Sequence, residues 1–64
     1  MCASDVYLLR GEANELLMKD VAEIRVEGDA LRLVDLLGNE RTVSGHIVRL
    51  DLEGHAIYVA QDDD

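Results

Sequence analysis

The chain has 64 residues, with 14 acidic against 6 basic side chains, so its formal net charge is −8. A chain of this length forms one small domain, and such domains usually depend on a disulfide, a metal or a partner subunit for stability. Cys2 is the only cysteine and has no partner for an internal disulfide, which leaves a metal or a second subunit. The negative charge argues against nucleic acid and anionic membranes as partners.

The first residues, Met1 to Asp5, lack the basic start and the apolar run of a signal peptide. No stretch of the chain approaches the roughly 20 apolar residues of a membrane span. We therefore expect a cytoplasmic protein, in which the thiol of Cys2 stays reduced.

Apolar residues alternate with polar ones along most of the chain, which predicts half-buried strands. Glycine, asparagine and aspartate clusters separate the alternating segments and are typical of tight turns. The predicted strands are residues 6–10, 15–19, 21–27, 31–36, 41–52 and 56–60. Six short strands indicate an all-β domain over residues 1–60, a small barrel or a strongly bent sheet. Residues 61–64 are expected to form a flexible acidic tail, and a helix over residues 14–22 remains an alternative because its residues favour helices.

Two details of packing follow from the same pattern. In the strand 41–52 we expect Val48, Leu50 and Leu52 to face the core together with His46, and Gly45 to form a corner. The densest apolar stretch near the N-terminus exceeds what one small core needs and is expected to form part of a subunit interface. Its members are Leu8, Leu9, Leu16, Leu17 and Met18.

Catalytic motifs are not apparent in the sequence. It contains no glycine-rich phosphate loop, no pair of histidines at helical spacing and no nucleophile with a neighbouring base. His46 and His55 lie far apart, and a lone histidine in a strand or turn is more often a hydrogen-bonded structural residue than a ligand. We therefore do not expect an enzyme.

Cys2 is the candidate metal ligand, because of its position. A small second residue permits removal of Met1, which would give Cys2 a free α-amine beside its thiol. The ordinary pKa values of these groups are about 7.7–8.0 and about 8.5, so a metal can displace both protons near neutral pH. Ala3 retains a backbone amide that offers a further nitrogen.

A nitrogen and sulfur donor set of this kind suits square-planar Ni(II) or Cu(II), with tetrahedral Zn(II) as the rival. One chain supplies too few donors to close the site. Two N-termini that meet across a two-fold axis would supply two amines and two thiolates, and the same dimer would stabilise the small domain.

Five segments carry a resemblance that covers nearly the whole chain. They are the start Met1-Cys2, residues 5–8 (DVYL), residues 20–29 (DVAEIRVEGD), residues 31–38 (LRLVDLLG) and residues 45–52 (GHIVRLDL). Together they resemble the CooT family, small nickel-binding accessory proteins of carbon monoxide dehydrogenase maturation. The resemblance implies a homodimer of SH3-like β-barrels that shares one Ni(II) between the two Cys2 residues, with the apo enzyme or its maturation proteins as partners. It assigns no role to His46 or His55.

Two alternatives remain open. The Met-Cys start is also similar to the HypC-type hydrogenase maturation chaperones, which suggests a metal-free adaptor. Relatives of the family are in places described as RNA-binding, but the net charge and the interleaving of arginines with acids argue against that role.

Overall fold

The computed structural model describes residues 3–61, and all of the regular structure in this range is β. The strands are β1 (Ser4–Arg10), β2 (Ala13–Glu27), β3 (Ala30–Asp35), β4 (Glu40–Asp51) and β5 (Ala56–Gln61). Consecutive strands pair in antiparallel fashion, and β5 returns to pair in parallel with β1, so the sheet closes into a ring. The all-β prediction is confirmed, and the helical alternative for residues 14–22 is wrong because these residues lie in β2.

The number of strands differs from the prediction, because segments 15–19 and 21–27 are halves of the single strand β2. Residues 13–18 pair with β1, and residues 23–27 pair with β3. Val21 pairs with both Ser4 of β1 and Asp35 of β3, and the register shifts beside it in both pairings. Asp20 lies between the halves with a φ of 56°, in the left-handed region that aspartate tolerates better than most residues. Its backbone amide donates to Asp5 Oδ1 at 3.2 Å. The chain therefore bends without a turn, and five strands suffice to close the ring.

Gly45 marks the matching change of partner in β4, as predicted for a corner. Ser44 is the last residue paired with β3, and Gly45 is the first paired with β5. A Cβ at position 45 would collide with the carbonyl group of Ala60 on the neighbouring strand. Glycine therefore permits the close approach of two backbones at this corner.

The core lies inside the ring and is entirely aliphatic. Its buried cluster consists of Val6, Leu8, Val21, Leu31, Leu33 and Val59. Partly buried side chains from β2, β4 and β5 surround it: Leu17, Met18, Ile24, Val43, Ile47 and Ile57. β1, β3 and β5 contribute alternate residues, as expected for a sheet with one face inside, whereas the bend in β2 interrupts the alternation between Leu17 and Val21.

The predicted inward face of β4 is wrong. Ile47 packs against the core, whereas Val48 and Leu50 are 51% and 56% exposed. Leu52 lies beyond the end of β4 and is 81% exposed. The register with β5 shifts between Ile47 and Arg49, and such a bulge changes the alternation that the sequence pattern assumes.

The turn between β3 and β4 is organised by the carboxylate of Asp35. Its Oδ1 accepts hydrogen bonds from the backbone amides of Leu37 and Asn39 at 2.9 and 2.8 Å. Its Oδ2 accepts a hydrogen bond from the side-chain amide of Asn39 at 3.1 Å. Desolvation acts to raise the pKa of Asp35, but these hydrogen bonds outweigh it and lower the pKa below its ordinary value.

We expect this turn to loosen in acid. Because the folded-state pKa of Asp35 is depressed, its stabilisation is present above the unfolded value of about 3.9 and is lost as the pH falls through the folded value. Amide protection of Leu37 and Asn39, measured by NMR hydrogen exchange, should fall below about pH 4. In Asp35→Asn, protection should already be low at neutral pH, and an unchanged acid transition in this variant would contradict the assignment.

Candidate functional site

The start of β1 is the part of the structure to which Cys2 is attached. Met1 and Cys2 lie outside the described residues, so the structure does not test the predicted thiolate and amine ligands. Ala3 is half-buried and directly precedes Ser4, the first residue of β1. Two residues span at most about 7 Å, so Ser4 limits where Cys2 can lie.

An apolar cleft of about 270 Å³ opens beside Ser4. Residues from β1, β2, β4 and β5 line it: Ser4, Val21, Ala22, Glu23, Ile24, Ile47, Leu50 and Ile57. Val21 belongs to the buried core, and Ile24, Ile47 and Ile57 pack against that core. The cleft is therefore an opening of the ring at the end where β1 begins.

Asp5 fixes the position of β1 at this opening. Its backbone amide donates to the carbonyl oxygen of His55 at 2.9 Å, and its Oδ1 accepts the amide of Asp20. Asp20 and His55 are the two non-glycine residues with positive φ in the range 3–61. The two backbone bends, at Asp20 and His55, thus hold Asp5 in place near the start of β1.

The two histidines lie at different ends of β1. His55 precedes Ala56, which pairs with Asp5, whereas His46 pairs with Ala60, which in turn pairs with Leu9. Four residues of strand correspond to about 13 Å. His55 therefore lies beside the start of β1 and His46 at its far end, and the structure does not bring the two together.

Most of the arginines are held by carboxylates or carbonyls of the same chain. Arg10 pairs with Glu15, Arg25 with Glu23, and Arg32 with Glu27 and Glu40; Arg41 donates to the carbonyl oxygen of Leu17. The hydrogen bond from Arg25 to Glu23, together with the charge of Glu23, raises the pKa of Arg25. Such paired charges do not form the basic stripe that phosphate binding requires.

Sequence reasoning missed a stacked group on β4, β5 and β1. The rings of Tyr7 and Tyr58 stack with centroids 5.5 Å apart and an interplanar angle of 22°. The guanidinium of Arg49 lies 5.2 Å from the Tyr58 centroid, and these three residues are in register across the strands. Tyr7 and Tyr58 are the only two aromatic residues of the chain and are far apart in sequence. Their stacking follows from the parallel register of β1 with β5, which the sequence pattern did not predict.

Residues 3–61 contain no cluster of three or more His, Cys, Asp or Glu side chains that could hold a metal ion. The same range contains no helix long and apolar enough to cross a membrane. The described residues thus form a small all-β protein with one end open as an apolar cleft.

The family can be identified from the sequence. The model of the family described as "CO dehydrogenase accessory protein CooT" matches residues 1–60, and the chain belongs to this family of accessory proteins. The crystal structure of a candidate CooT from Carboxydothermus hydrogenoformans has the same fold. It superposes with a TM-score of 0.90 at 24% identity and covers 97% of this chain and 100% of its own.

Two archaeal relatives match over nearly the whole chain. An uncharacterised protein of Methanothermobacter thermautotrophicus is 38% identical over 63 residues, which is 98% of this chain and 94% of the relative. One from Methanocaldococcus jannaschii is 30% identical over 59 residues, which is 92% of this chain and 96% of the relative.

Proposed function

We propose that this protein binds Ni(II) as cargo and assists its insertion into carbon monoxide dehydrogenase. The observation that carries the proposal is the position of Ser4 at the rim of the apolar cleft, two residues after Cys2, in a member of an accessory protein family for this enzyme. A terminal segment beside an open end of the ring is accessible to a client, as a carrier that must release its metal requires.

The donors would be the thiolate and the α-amine of Cys2 after removal of Met1, with the Ala3 amide as a further donor. Thiolate sulfur and nitrogen ligands suit Ni(II) in a square-planar arrangement. Because one N-terminus supplies too few donors, the proposed site is shared by two chains of a homodimer of SH3-like barrels. The net charge of −8 raises the local concentration of divalent cations. We propose the cytoplasm as its location. Of the tail predicted over residues 61–64, Gln61 is the last residue of β5, and residues 62–64 lie outside the described residues.

An absorption titration with Ni(II) tests the role of the N-terminus. Protein with a native N-terminus should develop thiolate-to-metal charge-transfer bands that saturate. A variant extended before Met1, which retains the Cys2 thiol but has no Cys2 amine, should bind at least roughly tenfold more weakly because it loses a metal ligand. Equal affinity of the two forms would contradict the amine as a donor.

A second candidate function is a metal-free adaptor for maturation proteins. The stack of Arg49, Tyr58 and Tyr7 favours it, because tyrosine and arginine are enriched where proteins bind each other. This candidate predicts that the isolated protein binds no nickel at micromolar concentration. Saturable nickel binding by the isolated protein would exclude it.

A further inference from the structure

One outer surface of the ring is charged. β3 forms a three-stranded sheet with residues 23–27 of β2 and residues 40–44 of β4. The register sets Arg25 opposite Arg32, and each of these arginines forms an ion pair with a glutamate. Paired charges of this kind are typical of a sheet surface that faces water.

The other outer surface is apolar and aromatic. β1 and β5 form a four-stranded sheet with residues 13–18 of β2 and residues 45–51 of β4. Tyr7 and Tyr58 each lie between two residues that face the core, so the alternation directs their rings outward. The row across this side of the sheet, which we call the tyrosine row, consists of Leu16, Tyr7, Tyr58 and Arg49.

Further apolar side chains extend the surface around the tyrosine row. Leu16, opposite Tyr7, is 47% exposed. Leu9 and Ala60 are opposite each other in the next row on the same side, and both are half-buried. Tyrosine and arginine are enriched at the centres of protein interfaces, where a few such side chains supply most of the binding energy. The surface therefore has the composition of a protein-binding site.

We propose that the tyrosine row is a docking surface for a segment of carbon monoxide dehydrogenase that carries a carboxylate beside apolar side chains. The carboxylate pairs with Arg49, and the apolar side chains cover Tyr7, Tyr58 and Leu16. The inference rests on the proposed function for the choice of the enzyme as partner, and it does not involve the nickel ligands.

The charge of Arg49 selects an acidic segment. No carboxylate of residues 3–61 forms an ion pair with Arg49, whereas three other arginines are paired in this way. Its guanidinium is held over the ring of Tyr58, 5.2 Å from the centroid. An arginine at an aromatic ring can still donate two parallel hydrogen bonds to a carboxylate. Arg49 is therefore positioned for an acid that the described part of the chain does not supply.

The same charge argues against a second copy of the chain as the occupant. In a two-fold contact the tyrosine row would meet its own copy. The carboxylates of the adjacent row are those of Asp5 and Asp51, and both already accept hydrogen bonds from backbone amides, at 3.2 and 2.9 Å. Self-contact would thus bury Arg49 without a partner, which is costly.

The apolar stretch that the sequence assigned to a subunit interface is divided by the fold. Leu8 belongs to the core, and Leu17 and Met18 pack against it. Leu9 and Leu16 lie on the outer side, in register with Ala60 and Tyr7. The apolar residues that exceed the needs of the core are therefore those at the tyrosine row.

Biolayer interferometry against immobilised apo carbon monoxide dehydrogenase of the same organism tests the charge. Arg49→Gln should weaken binding roughly thirtyfold or more, because the carboxylate of the partner is left unpaired. Arg32→Gln, on the charged sheet, is the matched control and should bind like the unmodified chain. Equal affinity of Arg49→Gln and the unmodified chain would overturn the proposal, as would an unmodified chain that does not bind.

Leu16→Gln tests the apolar part of the surface. It should weaken binding about fivefold or more, whereas Val26→Gln should not. Val26 is 68% exposed and lies in the three-stranded sheet, so it matches the change in polarity at a different surface. A loss of affinity in Val26→Gln but not in Leu16→Gln would contradict the location.

Methyl cross-saturation in the complex covers the case in which a variant does not fold. In deuterated protein with protonated methyl groups, saturation of the enzyme should reduce the signals of Leu9 and Leu16 more than that of Val26. The reverse order would place the enzyme on the other sheet and rule out the proposed surface.

Oligomeric state and nickel binding separate this inference from the function on which it rests. Arg49→Gln should keep the oligomeric state and the nickel affinity of the unmodified chain, and a dimer that it dissociates would make the occupant a second copy and overturn the proposal. Binding of the enzyme that depends on Arg49, by a chain that takes up no nickel, would support the surface and overturn the nickel role. Nickel uptake together with enzyme binding that is independent of Arg49 would overturn the surface alone.

Discussion

Replacing Cys2 by alanine is expected to remove high-affinity nickel binding while the fold persists. The thiolate is the strongest donor of the proposed site, and even groups that only orient metal ligands contribute about 10–100-fold to affinity. We therefore expect a loss of at least about a hundredfold and the disappearance of the charge-transfer bands. The buried core of residues 3–61 begins at Val6, so the circular dichroism spectrum and the midpoint of thermal unfolding, both measured without nickel, should change little.

His46→Ala is the matched control, because it removes a potential nitrogen ligand at the far end of β1 from Ser4. It should retain the affinity of the unmodified protein. A Cys2→Ala variant that binds nickel as tightly as the unmodified chain, or a His46→Ala variant that loses binding, would contradict the assignment of the site.

Gly45→Ala is expected to produce the largest loss of stability from the addition of a single methyl group. The added Cβ would meet the carbonyl group of Ala60, and neither backbone can move without breaking the pairing of β4 with β5. Overpacking costs about 1–3 kcal/mol, and we expect the upper end because the obstacle is backbone. A domain of this length has a free energy of unfolding of about 3–10 kcal/mol, so the variant should lose between about a third and all of its stability.

Gly28→Ala provides the comparison for this prediction. Gly28 has a φ of 63°, and a Cβ added there would meet no atom within 4 Å beyond its chain neighbours. Alanine at this position should therefore lower the free energy of unfolding only by the cost of holding alanine in the left-handed conformation, about 1–2 kcal/mol. Urea denaturation of both variants gives the two free energies. A smaller loss for Gly45→Ala than for Gly28→Ala would show that the corner does not need the close approach.

Much of the fold could be predicted because alternation and turn residues act locally. The hairpin turn at Gly28 and the corner at Gly45 follow from glycine at positions where the backbone requires it. The bend at Asp20 was missed because it has no glycine or proline, and it depends on a hydrogen bond from the Asp20 amide to Asp5, which is distant in sequence. The inward face of β4 was wrong because no single alternation holds along this strand: Val43 and Ile47 pack against the core before the register shift relative to β5, and Leu50 lies opposite Ile57 after it.

For the candidate site, too, one part could be predicted from the sequence and another could not. Cys2 could be selected from the sequence because its chemistry depends on its position next to Met1. The cleft beside Ser4 could not, since it is formed by residues of four strands that meet only when the ring closes. The proximity of His55, but not of His46, to the start of β1 likewise depends on the parallel pairing of β1 with β5.

The stoichiometry of the nickel-loaded protein tests the central claim most directly. Native mass spectrometry of protein with an unmodified N-terminus, after addition of Ni(II) and removal of the excess, measures chains and metal ions in the same particle. The proposed site predicts a species of two chains that holds one nickel ion. One nickel ion bound to each single chain, or a dimer that retains none, would contradict it.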